Sequence, residues 1–224
     1  VITSIPIPDY NTAYNPFVEE PICDRYASPH EMVVLSNYVY KSNSSGIYSD
    51  GSYCNYFIDN TLYLNDKEGM CLDAGSFGNY VSGNTIKQNG GRRRQTLADL
   101  ENDFVQDFGT LSDGSSPAKL PGLSIDNSAY NIVMNNYICD NYGSGVKMVR
   151  VGVRNILSDN IIANNNRGQS ETFHFFGIEL GYAAKPDYET VMLDFAACYE
   201  NIICRNIITG EHYAGIFIAE ECYI

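Results

Sequence analysis

Six times along the chain an asparagine is followed by a glycine that opens a short apolar run. The asparagines are Asn37, Asn60, Asn84, Asn136, Asn160 and Asn206, and the glycines are Gly46, Gly69, Gly122, Gly145, Gly177 and Gly215. In four of the six units nine residues separate the two, and uninterrupted neighbouring units recur about every 23–24 residues. A period of that length marks a solenoid, in which like positions of successive coils lie one above another. Columns of side chains can then be read from the sequence.

Two residues after each asparagine stand Val39, Leu62, Ile86, Ile138, Ile162 and Ile208, and directly after each glycine Ile47, Met70, Leu123, Val146, Ile178 and Ile216. Before the asparagine, pairs such as Val33/Leu35, Ile132/Met134 and Ile202/Cys204 alternate and read as facing the interior, which puts Cys204 in an inward column. Period-2 alternation with β-branched enrichment specifies three short strands per unit. A second amide column, Asn65, Asn89, Asn141 and Asn165, follows five residues after the leading asparagines. Stacked amides can hydrogen-bond along the axis and satisfy buried turn backbone. The recurring glycine is expected at another corner, where it accepts positive φ. The hairpin pairs that would mark a β-sandwich, Asp50-Gly51, Asn89-Gly90 and Asp113-Gly114, show no constant offset.

The segments Asn60-Thr61-Leu62 to Gly69-Met70-Cys71-Leu72, Asn136-Tyr137-Ile138 to Gly145-Val146-Lys147-Met148 and Asn206-Ile207-Ile208 to Gly215-Ile216-Phe217-Ile218 resemble the pectin-lyase-like superfamily. The resemblance implies an all-β chain folded as a right-handed single-stranded parallel β-helix of about six coils over residues 31–224, a scaffold that carries lyases, hydrolases, epimerases and inert spikes. It also favours a secreted or cell-surface location, while free thiols leave the cytoplasm open. Residues 1–30, rich in Pro and Tyr, are expected as an irregular N-terminal segment, either a cap or the remnant of a preceding region. Insertions interrupt the repeat at about 91–121, 167–176 and 182–199. In the first, Thr96 precedes Leu97, Leu100, Phe104, Val105 and Phe108 at helical spacing, with Asp99, Asp103 and Asp107 on another face. Ile224 follows a core strand without a polar cap, so the chain is expected to continue or this coil to be covered, including by self-association.

A net charge of −13 argues against nucleic acid and anionic membranes as partners. Seven cysteines without metal-type spacing read as small buried hydrophobes. Chemistry concentrates on the strand after each glycine. Its outward positions carry Tyr48, Cys71, Ser124, Lys147, Glu179 and Phe217, then Asp50, Asp73 and Asp126 two residues further on. Aspartate is depleted in strands, so a row of three is unlike random surface decoration; the plainer alternative is that each caps its turn. Carboxyls one coil apart, at about 4.8 Å, approach the separation used by retaining glycosidases, and those two coils apart reach the edge of the inverting range.

Asp73, Asp126, Lys147 and Glu179 are therefore the candidate catalytic residues. Asp50, Arg150, Tyr48, Tyr182, His174 and Asp103 are candidate substrate contacts, although His174, among aromatics, also reads as a packed residue. The expected partner is a polysaccharide or oligosaccharide. Hydrolysis, needing no cofactor, is preferred slightly over β-elimination, in which Lys147 would be the base and Asp-bound Ca²⁺ would neutralise a uronate. The alternative is a non-catalytic, spike-like β-helix that binds glycans or serves structurally.

Overall fold

The computed structural model describes residues 2–3, 29–91, 120–149, 151–167, 174–181 and 198–219. After β1 (Ile2–Thr3) the chain winds through six coils of three strands each. The first coil holds β2 (Val33–Leu35), β3 (Tyr38–Tyr40) and β4 (Ile47–Asp50), and the second β5 (Tyr56–Ile58), β6 (Thr61–Tyr63) and β7 (Met70–Asp73). The third holds β8 (Tyr80–Ser82), β9 (Thr85–Lys87) and β10 (Leu123–Asp126), and the fourth β11 (Ile132–Met134), β12 (Tyr137–Cys139) and β13 (Val146–Val149). The fifth holds β14 (Ile156–Ser158), β15 (Ile161–Ala163) and β16 (Phe176–Leu180), and the sixth β17 (Ile202–Cys204), β18 (Ile207–Thr209) and β19 (Ala214–Ile218).

First, second and third strands of successive coils pair in parallel as two six-stranded sheets and one seven-stranded sheet, to which β1 adds beside β4. The fold is a right-handed parallel β-helix. Register follows the sequence columns, as in Leu62↔Ile86 and Ile138↔Ile162. One side chain in two turns inward, and Phe57, Leu62, Met70, Ile86, Ile138 and Leu157 lie in a single core cluster at 0% exposure.

Three amide columns run along the axis. Asn60 N and Nδ2 donate to Asn84 Oδ1 at 2.8 and 3.0 Å, and Asn84 Nδ2 donates back to Phe57 O at 2.8 Å. The column after the second strands repeats this through Asn65, Asn89, Asn141 and Asn165, where Asn165 N donates to His212 Nε2 at 3.2 Å. Burial depresses the His212 pKa, which keeps the imidazole neutral and able to accept. The third column, Asn55, Asn79, Asn131, Asn155 and Asn201, was missed in the sequence reading although it stands five residues before the leading asparagines.

Two expectations are corrected. Glycines of the repeat are absent from the positive-φ residues; those of the first-to-second-strand corner are Ser36, Asp59, Gly83, Asn135, Asp159 and Arg205. The repeating glycines are needed for space, since a Cβ at Gly145 would lie 2.5 Å from Ile162 Cγ2 and 2.7 Å from Gly177 O. In the first strands the middle residues Val34, Phe57, Val81, Val133, Leu157 and Ile203 turn inward, so Cys204 belongs to the outer face. Apolar residues on both sides of a three-residue strand leave no contrast from which to read direction. The five described cysteines, Cys54, Cys71, Cys139, Cys198 and Cys204, are free thiols.

Of the insertions, the exit points are described. Leu120 N donates to Gly90 O at 2.9 Å, so the first leaves and re-enters side by side just before β10. Residues 168–173 precede β16 and residues 182–197 follow it, so all three open beside the seven-stranded sheet. The helical pattern from Thr96 to Phe108 lies outside the described residues, as does most of the 1–30 segment.

Replacing Asn136 by Ala strands the Asn84 donors and is expected to cost roughly 3–5 kcal/mol by denaturant unfolding, against under about 1 kcal/mol for the exposed Asn37→Ala. Gly145→Ala is expected to lower the unfolding midpoint by the equivalent of about 2 kcal/mol or more, because one obstructing atom is backbone.

Candidate functional site

The outer face of the seven-stranded sheet carries two rows. In one, Tyr48↔Cys71, Cys71↔Ser124, Ser124↔Lys147, Lys147↔Glu179 and Glu179↔Phe217 are in register. In the other, Asp50↔Asp73 are paired and Asp126 follows one position after Ile125↔Leu72. This row ends where Asp126 meets Val149. All three aspartates are half-buried. Lys147 thus aligns with Ser124 and Glu179, a different row from Asp126.

Asp73 is held at both oxygens. Tyr48 Oη donates to Oδ2 at 2.7 Å, and Ala74 N donates to Oδ1 at 2.7 Å, a turn-capping contact. Asp50 on the preceding coil has its pKa raised, first by burial and then by the Asp73 charge. Burial, and then the hydrogen bond to Asp73, also pushes the Tyr48 phenol up, so it stays protonated as a donor. Cys71, which follows Tyr48 in the first row, has its thiol pushed up by burial first and then by Glu68, Asp73 and Asp126. A thiol so placed is no nucleophile near neutral pH.

Further along, Lys147 Nζ lies 2.7 Å from Glu179 Oε1, and Ser144 Oγ donates to Glu179 Oε2 at 2.6 Å. Glu179 is 2% exposed and Lys147 25% exposed, so the pair is closed over its carboxylate and open at its ammonium. A buried carboxylate engaged in this way retains its position at the cost of its freedom to react. Ser144, directly before Gly145, escaped the sequence reading; its column also holds Ser45, which donates to Glu68 Oε2 at 2.8 Å. Serine before the glycine was the available signal.

The structure brings Tyr48, Asp50, Asp73 and Asp126 together on successive strands and places Lys147 and Glu179 beyond them. His174 is apart from the aspartates, toward the last-coil end of the other row: its ring stacks on Tyr213 at 3.9 Å, next to Phe176, which stacks on Phe217 at 4.5 Å. Tyr142 is buried beneath the Arg167 guanidinium, 5.5 Å from its ring. Arg150, Tyr182 and Asp103 lie outside the described residues. A separate open cavity of about 490 Å³ at the corner after the second strands is lined by Gln88, Asp140, Asn164, Asn165, Asn166, Arg167 and Glu211.

The family model described as periplasmic copper-binding protein (NosD) matches residues 25–172, well over half of the sequence. The chain belongs to the NosD family. No curated protein matches it. Among solved structures, this NosD-family chain is similar to the enzymatically active domain of bacteriophage CBA120 tailspike protein 2, at 12% identity and a TM-score of 0.54 over 88% of this chain and 26% of that one. It is also similar to the periplasmic alginate epimerase AlgG, at 17% identity and a TM-score of 0.53 over 87% of this chain and 40% of that one. At these identities the likeness shows the shared β-helix, and the chain spans about a quarter and two fifths of those proteins' lengths.

The family description names copper, which histidine, cysteine and methionine hold. Among the described residues no three His, Cys, Asp or Glu side chains converge to hold a metal ion. His30 stacks on Tyr53, His174 on Tyr213, and His212 Nε2 is engaged by the Asn165 amide. The described residues do not fit a copper centre.

Because the folded-state pKa of Asp50 is raised, the native chain binds more protons than the unfolded one between the ordinary aspartate value of about 3.9 and the raised value. Stability from this group is therefore present below that window and is lost as pH rises through it. Asp50→Asn is expected to raise the unfolding midpoint at pH 7 relative to the native chain, with the difference vanishing near pH 3. Paired thermal melts across pH check this.

Proposed function

We propose that the outer face of the seven-stranded sheet binds a polysaccharide and cleaves its glycosidic bonds by hydrolysis. The observation that carries this reading is the row Asp50, Asp73 and Asp126, three half-buried carboxylates on adjacent parallel strands. Rows about 4.8 Å apart give one-coil and two-coil separations bracketing those of glycosidases. Asp50, with its pKa raised, is the general acid that protonates the leaving oxygen. Asp73, oriented by Tyr48, is the carboxylate one coil away, and Asp126 is the one two coils away. The former as nucleophile gives retention; the latter as base for water gives inversion.

Elimination is less well supported, because the Lys147 ammonium is engaged by Glu179 and lies in the other row. In hydrolysis Lys147 orients sugar hydroxyls. The sequence expectations at Arg150, Tyr182 and Asp103 join this proposal as further sugar contacts. The family's periplasmic description and the names of the tailspike and alginate epimerase neighbours support a secreted or surface-exposed carbohydrate partner. A second reading, a glycan-binding β-helix without catalysis, is favoured by the Ala74 N–H contact to Asp73 and by the closed Ser144–Glu179–Lys147 group.

Incubation with a panel of polysaccharides is expected to release reducing ends without the absorbance of unsaturated uronates, to persist in EDTA, and to slow as pH rises through the Asp50 titration. Asp50→Asn is expected to cut the rate roughly 100-fold or more. Uronate absorbance abolished by EDTA would establish elimination instead. Retained binding without products would establish the second reading.

A further inference from the structure

The first strands of the six coils each present their first and third residues outward. Of these twelve positions, Ser82 and Ser158 alone are neither aliphatic, aromatic nor sulfur-bearing, and none is charged. Val33 is 61% exposed, Leu35 52%, Tyr56 45% and Ile202 53%. Tyr80 turns its hydroxyl along the face to Met134 Sδ, at 3.2 Å. An exposed apolar strip on a chain of net charge −13 is a feature that soluble surfaces ordinarily avoid.

We infer that this outer face is where a second copy of the chain docks, side by side and face to face. Charge selects the occupant. The seven-stranded sheet carries the acidic row and the second-strand sheet carries Lys87, whereas this strip lets two strongly acidic molecules touch without opposing carboxylates. Its rims carry two ion pairs, Arg154 with Glu200 on one side and Arg205 Nε with Asp159 Oδ1 at 2.7 Å on the other, besides the exposed carboxylates of Glu31 and Asp59 on the first two coils. An apolar centre inside a polar rim is the anatomy of a protein interface.

Chemistry disfavours other occupants. The strip has no cation for an anionic lipid. Of its four polar groups, the Tyr80 hydroxyl is already engaged and Ser158 is 4% exposed, which leaves the hydroxyls of Tyr56 and Ser82 to hold a sugar, few against the ten aliphatic, aromatic or sulfur-bearing positions. A second strip, by contrast, has the same row spacing of about 4.8 Å, so side chains of one face enter the rows of the other about a two-fold axis. Six strands three residues wide make a flat face of roughly 300 Å² before its rims are counted. A stable dimer covers about 800 Å² per partner, so this contact is weak and reversible.

Sedimentation velocity on the 224-residue chain tests this across concentration. The expected result is a monomer–dimer equilibrium that tightens severalfold between about 20 mM and about 300 mM salt, as screening relieves the repulsion between acidic molecules. Tyr56→Glu, at an exposed position, and Ile156→Lys, in the fifth coil, are each expected to weaken association about tenfold or more with the far-UV CD spectrum unchanged. Ile216→Glu, on the last coil, leaves it unchanged. A monomer at roughly 200 µM in the higher salt would overturn the inference. So would association insensitive to both face variants, association abolished by Ile216→Glu, or co-sedimentation with phosphatidylcholine vesicles in place of dimers.

Discussion

One amide hydrogen bond, repeated from coil to coil, sets the geometry on which everything else rests. Each buried asparagine accepts from the backbone N–H and side-chain amide of its counterpart on the preceding coil, and returns a donor to a carbonyl of that coil. A net hydrogen bond contributes only about 1 kcal/mol, whereas a stranded buried donor costs about 1–3 kcal/mol. The ladder therefore acts chiefly against wrong registers. The driving force comes from inward columns such as Leu62–Ile86–Ile138–Ile162, where each fully buried side chain stabilises by roughly 1.5–3 kcal/mol. The three ladders turn that non-directional attraction into a stack with a single register.

Fixed register makes electrostatics legible at long sequence separations. Asp50 and Asp73, 23 residues apart, become neighbours across one strand spacing, and their mutual repulsion adds to burial in raising one of them. Lys147 and Glu179, 32 residues apart, close into an ion pair by the same arithmetic. The same stacking gives each side of the coil its own chemistry. Inward positions are committed to packing, so outward positions differ by sheet: carboxylates and a lysine on one face, tyrosine and threonine on another, aliphatic residues on the third.

The leading asparagines, the aliphatic columns and membership of the acidic row were all readable, because each recurs at one offset. The repeating glycines were visible for a reason that proved different: they make room for the next coil's asparagine and carbonyl, as at Gly145, and their φ is unremarkable. The Asn55 column was present at a fixed offset and overlooked. Cys204 was assigned inward because Ile202, Ile203 and Cys204 are all apolar, so pattern alone cannot choose between one side and the other. In the candidate site, the row was legible but not its contacts. Nothing in the spacing of Tyr48 and Asp73, or of Ser144 and Glu179, says which rotamer meets which oxygen.

By itself the sequence determined the solenoid, the number of coils, the inward columns of the second and third strands and the face that gathers carboxylates. A period of 23–24 residues over three short strands leaves stacking as the arrangement that buries every aliphatic column at once. The tertiary structure alone decided which carboxylate is raised, which is held by a tyrosine and a turn amide, which is sealed with a lysine, and which way the first strands face. Those outcomes depend on hydrogen bonds and burial made between coils, and such contacts exist only once the coils are laid on one another.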